Sequence, residues 1–207
     1  MTNKIKLNAI AAICNENNGI GVKNTLPWSI SEDHFYYLRV INTLQNNSKI
    51  NAVIYGRKTY EALLENELPG DTCIKFILSK TKTEEEINPK KDPKIFLCRS
   101  WEEVFAILNN DKFKDIIENI YVLGGSIVYE DAMKCSFFDK FYITRIFKYF
   151  DCDVVIKPKN FLSEYFNKVQ DKNILDENGK MFGVEYNKII KDEKSGVEFI
   201  FEIYVKK

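Results

Sequence analysis

The sequence predicts an α/β fold: a three-layer sandwich with a central, mostly parallel sheet, an antiparallel C-terminal hairpin and helices on both faces. Three observations carry this. Short apolar runs of strand length alternate with segments of helical period, the pattern of β-α-β units. The first run, Leu7–Cys14 (LNAIAAIC), is apolar throughout instead of alternating, as suits a strand covered on both faces. Near the other end, residues 184–190 and 198–205 flank a turn-forming stretch at 192–196, which predicts an antiparallel pair.

The elements follow in order. A Gly/Asn-rich stretch, residues 15–27, leaves the first strand. Ser31 offers an N-cap, and Glu32 and Asp33 suit the positive end of a helix dipole, so SEDHFYYLRVINTL reads as a helix. Residues 52–56 form a strand, 58–64 a short helix and 74–79 a strand; TKTEEEINPKKDP then reads as a solvated surface loop. Strand 95–98 precedes a helix opened by Ser100, with Glu103 at the spacing of a capping box. Strand 120–123 runs into Gly124 and Gly125, a helix starts near Ser126, and a strand at 141–146 and an apolar patch at 154–156 follow.

Composition narrows the function. A chain of 207 residues, 45% apolar, 29% charged and 14% aromatic, fits one soluble domain spanning 1–207, with no repeat and no Pro/Gly/Ser-rich linker to divide it. Thirty Lys+Arg balance thirty Asp+Glu, and no basic run suggests nucleic acid or an anionic membrane as partner. No apolar run approaches the roughly 20 residues of a membrane span. The five cysteines are odd in number and never CxxC, so a reducing, cytoplasmic setting without disulfides or a zinc knuckle is expected. With one histidine, His34, neither a Ser-His-Asp triad nor a multi-histidine metal site can be assembled, and no metal is expected. Only four arginines occur, Arg39, Arg57, Arg99 and Arg145, which makes each worth following.

Three features carry chemistry. Gly56-Arg57-Lys58-Thr59 ends a buried strand at a helix start, where free N–H groups and two cations suit a phosphate; a solvated, capped turn is the other reading. Gly124-Gly125-Ser126 removes side chains where a strand meets a helix, so a pyrophosphate could approach the backbone, though a tight turn needs the same residues. Asp33, Tyr37 and Val40 or Ile41 share one helix face, which makes Asp33 either a first-turn dipole partner or an acid in an apolar cleft. Such an acid can grip an amino-N-heterocycle through two parallel hydrogen bonds.

Taken in order, Gly19-Ile20-Gly21, Leu26-Pro27-Trp28, Asp33 five residues after the Trp, Gly56-Arg57-Lys58-Thr59, Gly124-Gly125-Ser126 with Tyr129, and Phe141-Tyr142-Ile143-Thr144-Arg145 resemble the dihydrofolate reductase family. The likeness runs from Leu7 to Tyr204. It implies NADPH-dependent reduction of 7,8-dihydrofolate, a hydride passing from nicotinamide C4 to pterin C6 while N5 gains a proton. Asp33 would hold the pterin, with Thr144 in the same network and Trp28 positioning a water beneath a lid made by the Gly19 to Trp28 loop. Ile10, His34, Tyr37, Leu63, Leu123 and Tyr129 would line the substrate cleft. Ala12, Ile20 and Gly21 would flank the nicotinamide, and Leu123 and Tyr129 would touch the cofactor too. Gly56, Arg57, Lys58 and Thr59 would meet phosphates on one side, with Gly124, Gly125, Ser126 and Ile127 at the pyrophosphate. Ser79, Lys80 and Arg99 would form the 2′-phosphate pocket. Antifolates are the expected inhibitors, and the chain is expected as a monomer or as a module fused to thymidylate synthase.

The departures from the family pattern are specific. Cys73 stands where the family usually has an Arg for the glutamate tail of folate, with Lys75 one strand period on. His34 and Tyr37 replace commonly apolar or Phe residues, and Tyr60 a common Trp. Two alternatives follow: a reductase of a pterin lacking the tail, or a non-catalytic NADPH or folate binder.

Overall fold

The computed structural model describes residues 6–63 and 72–207. In chain order its first half contains β1 (Leu7–Cys14), β2 (Gly19–Gly21), α1 (Ser31–Asn42), β3 (Ile50–Gly56), α2 (Arg57–Leu63), β4 (Cys73–Leu78), α3 (Glu84–Ile87), β5 (Ile95–Cys98) and α4 (Trp101–Leu108). The second half contains β6 (Ile117–Val122), α5 (Ser126–Lys134), β7 (Phe138–Ile146), β8 (Val154–Val155), α6 (Phe161–Tyr165), β9 (Phe166–Lys168), α7 (Lys172–Phe182), β10 (Ile189–Lys191) and β11 (Glu198–Lys206).

The main sheet runs β10-β11-β7-β1-β6-β3-β4-β5, with β9 also on β11. From β7 to β5 every pairing is parallel, and β11 closes the sheet antiparallel to β7 with β10 and β9 antiparallel to it. Alternation along β1 explains why it is apolar throughout. Leu7, Ala9, Ala11 and Ile13 pack in one core with α4 and α5, while Ile10 and Cys14 join α1 and α7 on the other face.

Several boundaries differ from expectation. Ser31 is not the N-cap of α1; the cap is Ile30, whose side chain accepts nothing, and Ser31 is the first helical residue. The charged stretch after β4 is not simply a solvated loop. It holds α3 behind a capping box of Thr83 and Glu86, and Ile87 and Asn88 are buried. Asn88 stitches it together, donating to the carbonyls of Asp92 and Ile95 and accepting from the Asp92 N–H. At α4, Ser100 accepts from the Glu103 N–H as expected, but the Glu103 carboxylate accepts from the Arg99 N–H, one residue before the cap. Of residues 184–190 only the end is strand, because Gly183 caps α7 in the left-handed region and Asn187, at φ 58°, interrupts the extended backbone. The helix α7 and the short elements α6 and β9 have no counterpart in the sequence reading.

One buried network lies on β11. The Glu202 side chain is 6% exposed, accepting from Lys168 Nζ at 2.6 Å and from Arg145 Nε at 2.8 Å. Burial pushes its carboxyl up, but Lys168 and Arg145 more than offset this and hold it below the usual carboxylate value. Glu202→Gln is therefore expected to destabilise the fold by about 2 kcal/mol at pH 7, less than a fully buried pair because both cations are partly solvated. A lowered folded value means that the stabilisation is present above the unfolded carboxyl value and lost as pH falls through the folded one. The melting difference from wild type should thus be steady from pH 6 to 8 and narrow below about pH 4. A difference that widens in acid would contradict this account.

Candidate active site

The carboxyl ends of the parallel strands form one edge, and the chain leaves it to opposite faces. After β1 it reaches α1, whose Tyr36, Val40 and Ile41 pack with Ile10 and Tyr55. After β6 it enters α5, whose Val128, Ala132 and Met133 pack with Ala9 and Ile54. The chain thus turns to opposite faces at β1 and β6, the switch point at whose crevice open α/β sheets bind ligands.

Asp33 sits in the first turn of α1 and is 8% exposed, so its carboxylate is not directed into bulk water. Tyr37 lies one turn on and half-buried, with His34 beside it at 6.5 Å between ring centroids. On the other flank of β1, Ala12 pairs in register with Thr144 of β7. Thr144 is 1% exposed, and its Oγ1 has no hydrogen-bond partner among the described residues. The same holds for Nε1 of Trp28, which is buried edge-on against Phe150 at 5.4 Å. Unpaired buried polar atoms cost about 1–3 kcal/mol each.

The two glycine corners touch. Gly56 N–H donates to the Gly124 carbonyl at 2.6 Å, because β3 and β6 are neighbours with Ile54 opposite Val122. A Cβ on Gly56 would lie 3.0 Å from Val128 Cγ2, and one on Gly125 would lie 3.3 Å from Thr59 Oγ1. Side chains at these corners would fill the cradle, leaving no close approach to backbone. Gly125 caps α5 without a side-chain acceptor, so the first N–H groups of the helix face outward unpaired by any cap. Ser126 is half-buried; Ile127 is 71% exposed, which limits its part in the site to its backbone. Arg57 pairs with Glu61 at 2.6 Å, a partner the sequence reading did not supply, while Lys58 is exposed.

Farther along the edge, Leu78 and Cys98 are paired, bringing Ser79 and Lys80 beside Arg99. Arg99 Nη1 donates to the carbonyls of Ser79 and Lys82, and Ser79 Oγ accepts from the Lys82 N–H at 3.2 Å. The corners and this basic end lie in a row across β6, β3, β4 and β5, spanning roughly 14 Å at the usual strand spacing.

Tyr129 is 4% exposed, with its ring against Gly124 and its hydroxyl donating to the Ile10 carbonyl at 2.6 Å. Burial first, then the neighbouring Tyr37 and Asp33, pushes its hydroxyl well up, so it stays a donor. Tyr129→Phe should lose about 1 kcal/mol of stability, read by thermal melting, because the Ile10 carbonyl is left unpaired. An unchanged melting temperature would show that carbonyl to be satisfied otherwise.

The lid residues are placed by β2, which pairs with β8 in a two-stranded sheet, Gly19 opposite Val155 and Gly21 opposite Val154. Ile20 is half-buried, and Asp153 accepts from the Lys23 N–H. Gly19 is sterically required: a Cβ there would be 2.4 Å from Cys152 Sγ. Leu63 is half-buried beside the α1 core and Leu123 is 6% exposed at the end of β6. Tyr55 was missed by sequence reasoning. It is fully buried on the α1 side, and burial, with Tyr37 next, pushes its hydroxyl up. Its period-two position before Gly56 was the available signal. Cys73 is sealed, with Sγ donating to the Ile41 carbonyl at 3.5 Å, and burial raises its thiol. Lys75, on the same face, is 5% exposed.

A buried acid on α1 and two glycine corners in hydrogen-bond contact on neighbouring strands are the site features of this α/β fold. The family model described as dihydrofolate reductase matches residues 6–206. A dihydrofolate reductase of Drosophila melanogaster is 34% identical over 86% of this chain and 94% of that protein. A putative dihydrofolate reductase of Caenorhabditis elegans is 31% identical over 95% and 94% respectively. The solved Schistosoma mansoni dihydrofolate reductase shares the fold, with a TM-score of 0.76 at 24% identity, covering 99% of this chain and 100% of that one. The chain belongs to the dihydrofolate reductase family, oxidoreductases that act on a CH–NH bond with a nicotinamide cofactor.

Proposed function

We propose that this chain reduces 7,8-dihydrofolate with NADPH, and that Asp33 is the group on which turnover depends. The burial of Asp33 at the β1/β6 crevice supports this reading most. The bound cofactor supplies a hydride. Asp33 accepts two hydrogen bonds from the amino group and ring N–H of the pterin, orienting the ring and favouring its protonated form. Thr144 Oγ1 extends that network. One carboxylate engaged in this way cannot also reach N5, so Trp28 Nε1 holds the water that delivers the proton under the Gly19 to Trp28 lid.

The cofactor preference follows from Lys80 and Arg99, whose charges suit a dianionic 2′-phosphate. Replacing both with Ala should raise the KM for NADPH about tenfold or more and leave that for NADH nearly unchanged. Equal effects on the two cofactors would remove these residues from the pocket. The reading is tested by NADPH oxidation at 340 nm with dihydrofolate, with and without methotrexate as antifolate competitor; no turnover would overturn it.

A second reading is favoured by Cys73. It offers no charge to a glutamate tail, so a tail-less dihydropterin would be used nearly as well, and comparing kcat/KM for the two substrates decides. We further place the chain in the cytosol, where its five free cysteines would stay reduced, as a monomer or as one module of a fusion with thymidylate synthase. Gel filtration and light scattering test the monomer.

A further inference from the structure

Arg145 and the residues around it take no part in the reaction described above, yet they build a second recess on the α6 side of the sheet. Its volume is about 480 Å³, and four cations from separate segments line it: Arg145 on β7, Lys159 before α6, Lys168 on β9, and Lys207. No Asp or Glu is among the lining residues. The one carboxylate beneath, Glu202, is already taken up by Lys168, Arg145 and the Tyr204 hydroxyl. Four cationic side chains thus face one acidic side chain, in a chain whose formal net charge is zero.

Gathering like charges in one hollow, Arg145 and Lys168 half-buried and Lys159 and Lys207 exposed, is unfavourable unless an anion sits among them. Each ammonium carries three donors, and Lys168 gives Glu202 only one hydrogen bond. Asn160 and Asn167 add amides that can exchange hydrogen bonds with hydroxyls, and Phe166 provides an apolar wall. The cations converge on one hollow instead of running along a face, which suits a compact anion and not a polymer. We propose that this recess binds a small phosphorylated molecule, a phosphate monoester on a hydroxylated body. Its occupant would also meet the root of the lid, since Arg145 Nη1 donates to Asn15 Oδ1 at 3.2 Å and Asn15 and Asn18 line the hollow.

The test is a titration of the full chain with ribose 5-phosphate, using ribose and inorganic phosphate as controls, followed by backbone and side-chain amide resonances in ¹H–¹⁵N NMR. Saturable shifts at Asn15, Asn160 and Asn167, absent with ribose, are expected. Lys159→Gln and, separately, Lys168→Gln should weaken binding about tenfold, the loss of one charge-assisted hydrogen bond, while NADPH-dependent turnover persists. Should Lys168→Gln fail to fold through its tie to Glu202, the exposed Lys207→Gln takes its place. Shifts confined to residues 56–59 and 124–127 would place the phosphate at the cofactor turns and overturn the proposal. So would binding unchanged in the variants, or no saturable shifts.

Discussion

Asp33→Asn is expected to lower kcat/KM for dihydrofolate by about 10²- to 10⁴-fold while the protein still melts cooperatively near the wild-type temperature. The substitution keeps shape and removes charge. In a site that is 8% exposed, the neutral amide is easier to bury than a carboxylate, so the fold should not suffer. On the proposed role, what would be lost is a pair of charge-assisted hydrogen bonds and the field that favours the protonated pterin. Because this interaction strengthens as the ring gains positive charge, the loss should fall on kcat as well as KM. Turnover within threefold of wild type would remove Asp33 from the chemistry. Aggregation or loss of cooperative melting would instead make it a structural acid.

Gly124→Ala should damage both stability and cofactor binding. Gly124 has φ 106°, a backbone region that side chains rarely adopt, and a Cβ there would lie 3.0 Å from the Tyr129 ring. The strain costs about 1–3 kcal/mol, which for a chain of this size lowers the melting temperature by roughly 5 °C. Displacing Tyr129 also loosens its bond to the Ile10 carbonyl, and the altered corner would no longer accept a pyrophosphate against backbone. The KM for NADPH should rise at least tenfold, an effect on binding that a purely structural glycine would not produce. A melting temperature and KM both equal to wild type would show that the corner tolerates a side chain.

How much of this was legible in the chain depends on the range of the interaction involved. The limits of β1 and the start of α5 were readable because they rest on local cues: an unbroken apolar run, and paired glycines before a helix. The helix α7 was not, although Asp171 caps it through the Asn173 N–H and Gly183 ends it. Its interior carries charged residues and a glycine, Gly179, and its helicity is secured by packing Phe182 against Tyr36 and Tyr142. The loop around α3 misled for the opposite reason. Its acidic composition suggested solvent, but a capping box and the Asn88 hydrogen bonds fold it back on itself.

The sequence by itself determined which residue types were available: one buried-capable acid after Leu-Pro-Trp, two glycine turns, one cation at each of two turns between them, and a single histidine that excluded whole classes of chemistry. These follow from composition and from spacings within a few residues. Only the tertiary structure decided that Gly56 and Gly124 share a hydrogen bond, that Thr144 lies opposite Ala12, that Cys152 occupies the space above Gly19, and that Arg145 turns away from the crevice toward Glu202. Each depends on strand order and register, which join residues 57 to 133 positions apart. No local period records such a pairing; it is chosen by which arrangement buries both faces of the sheet at once.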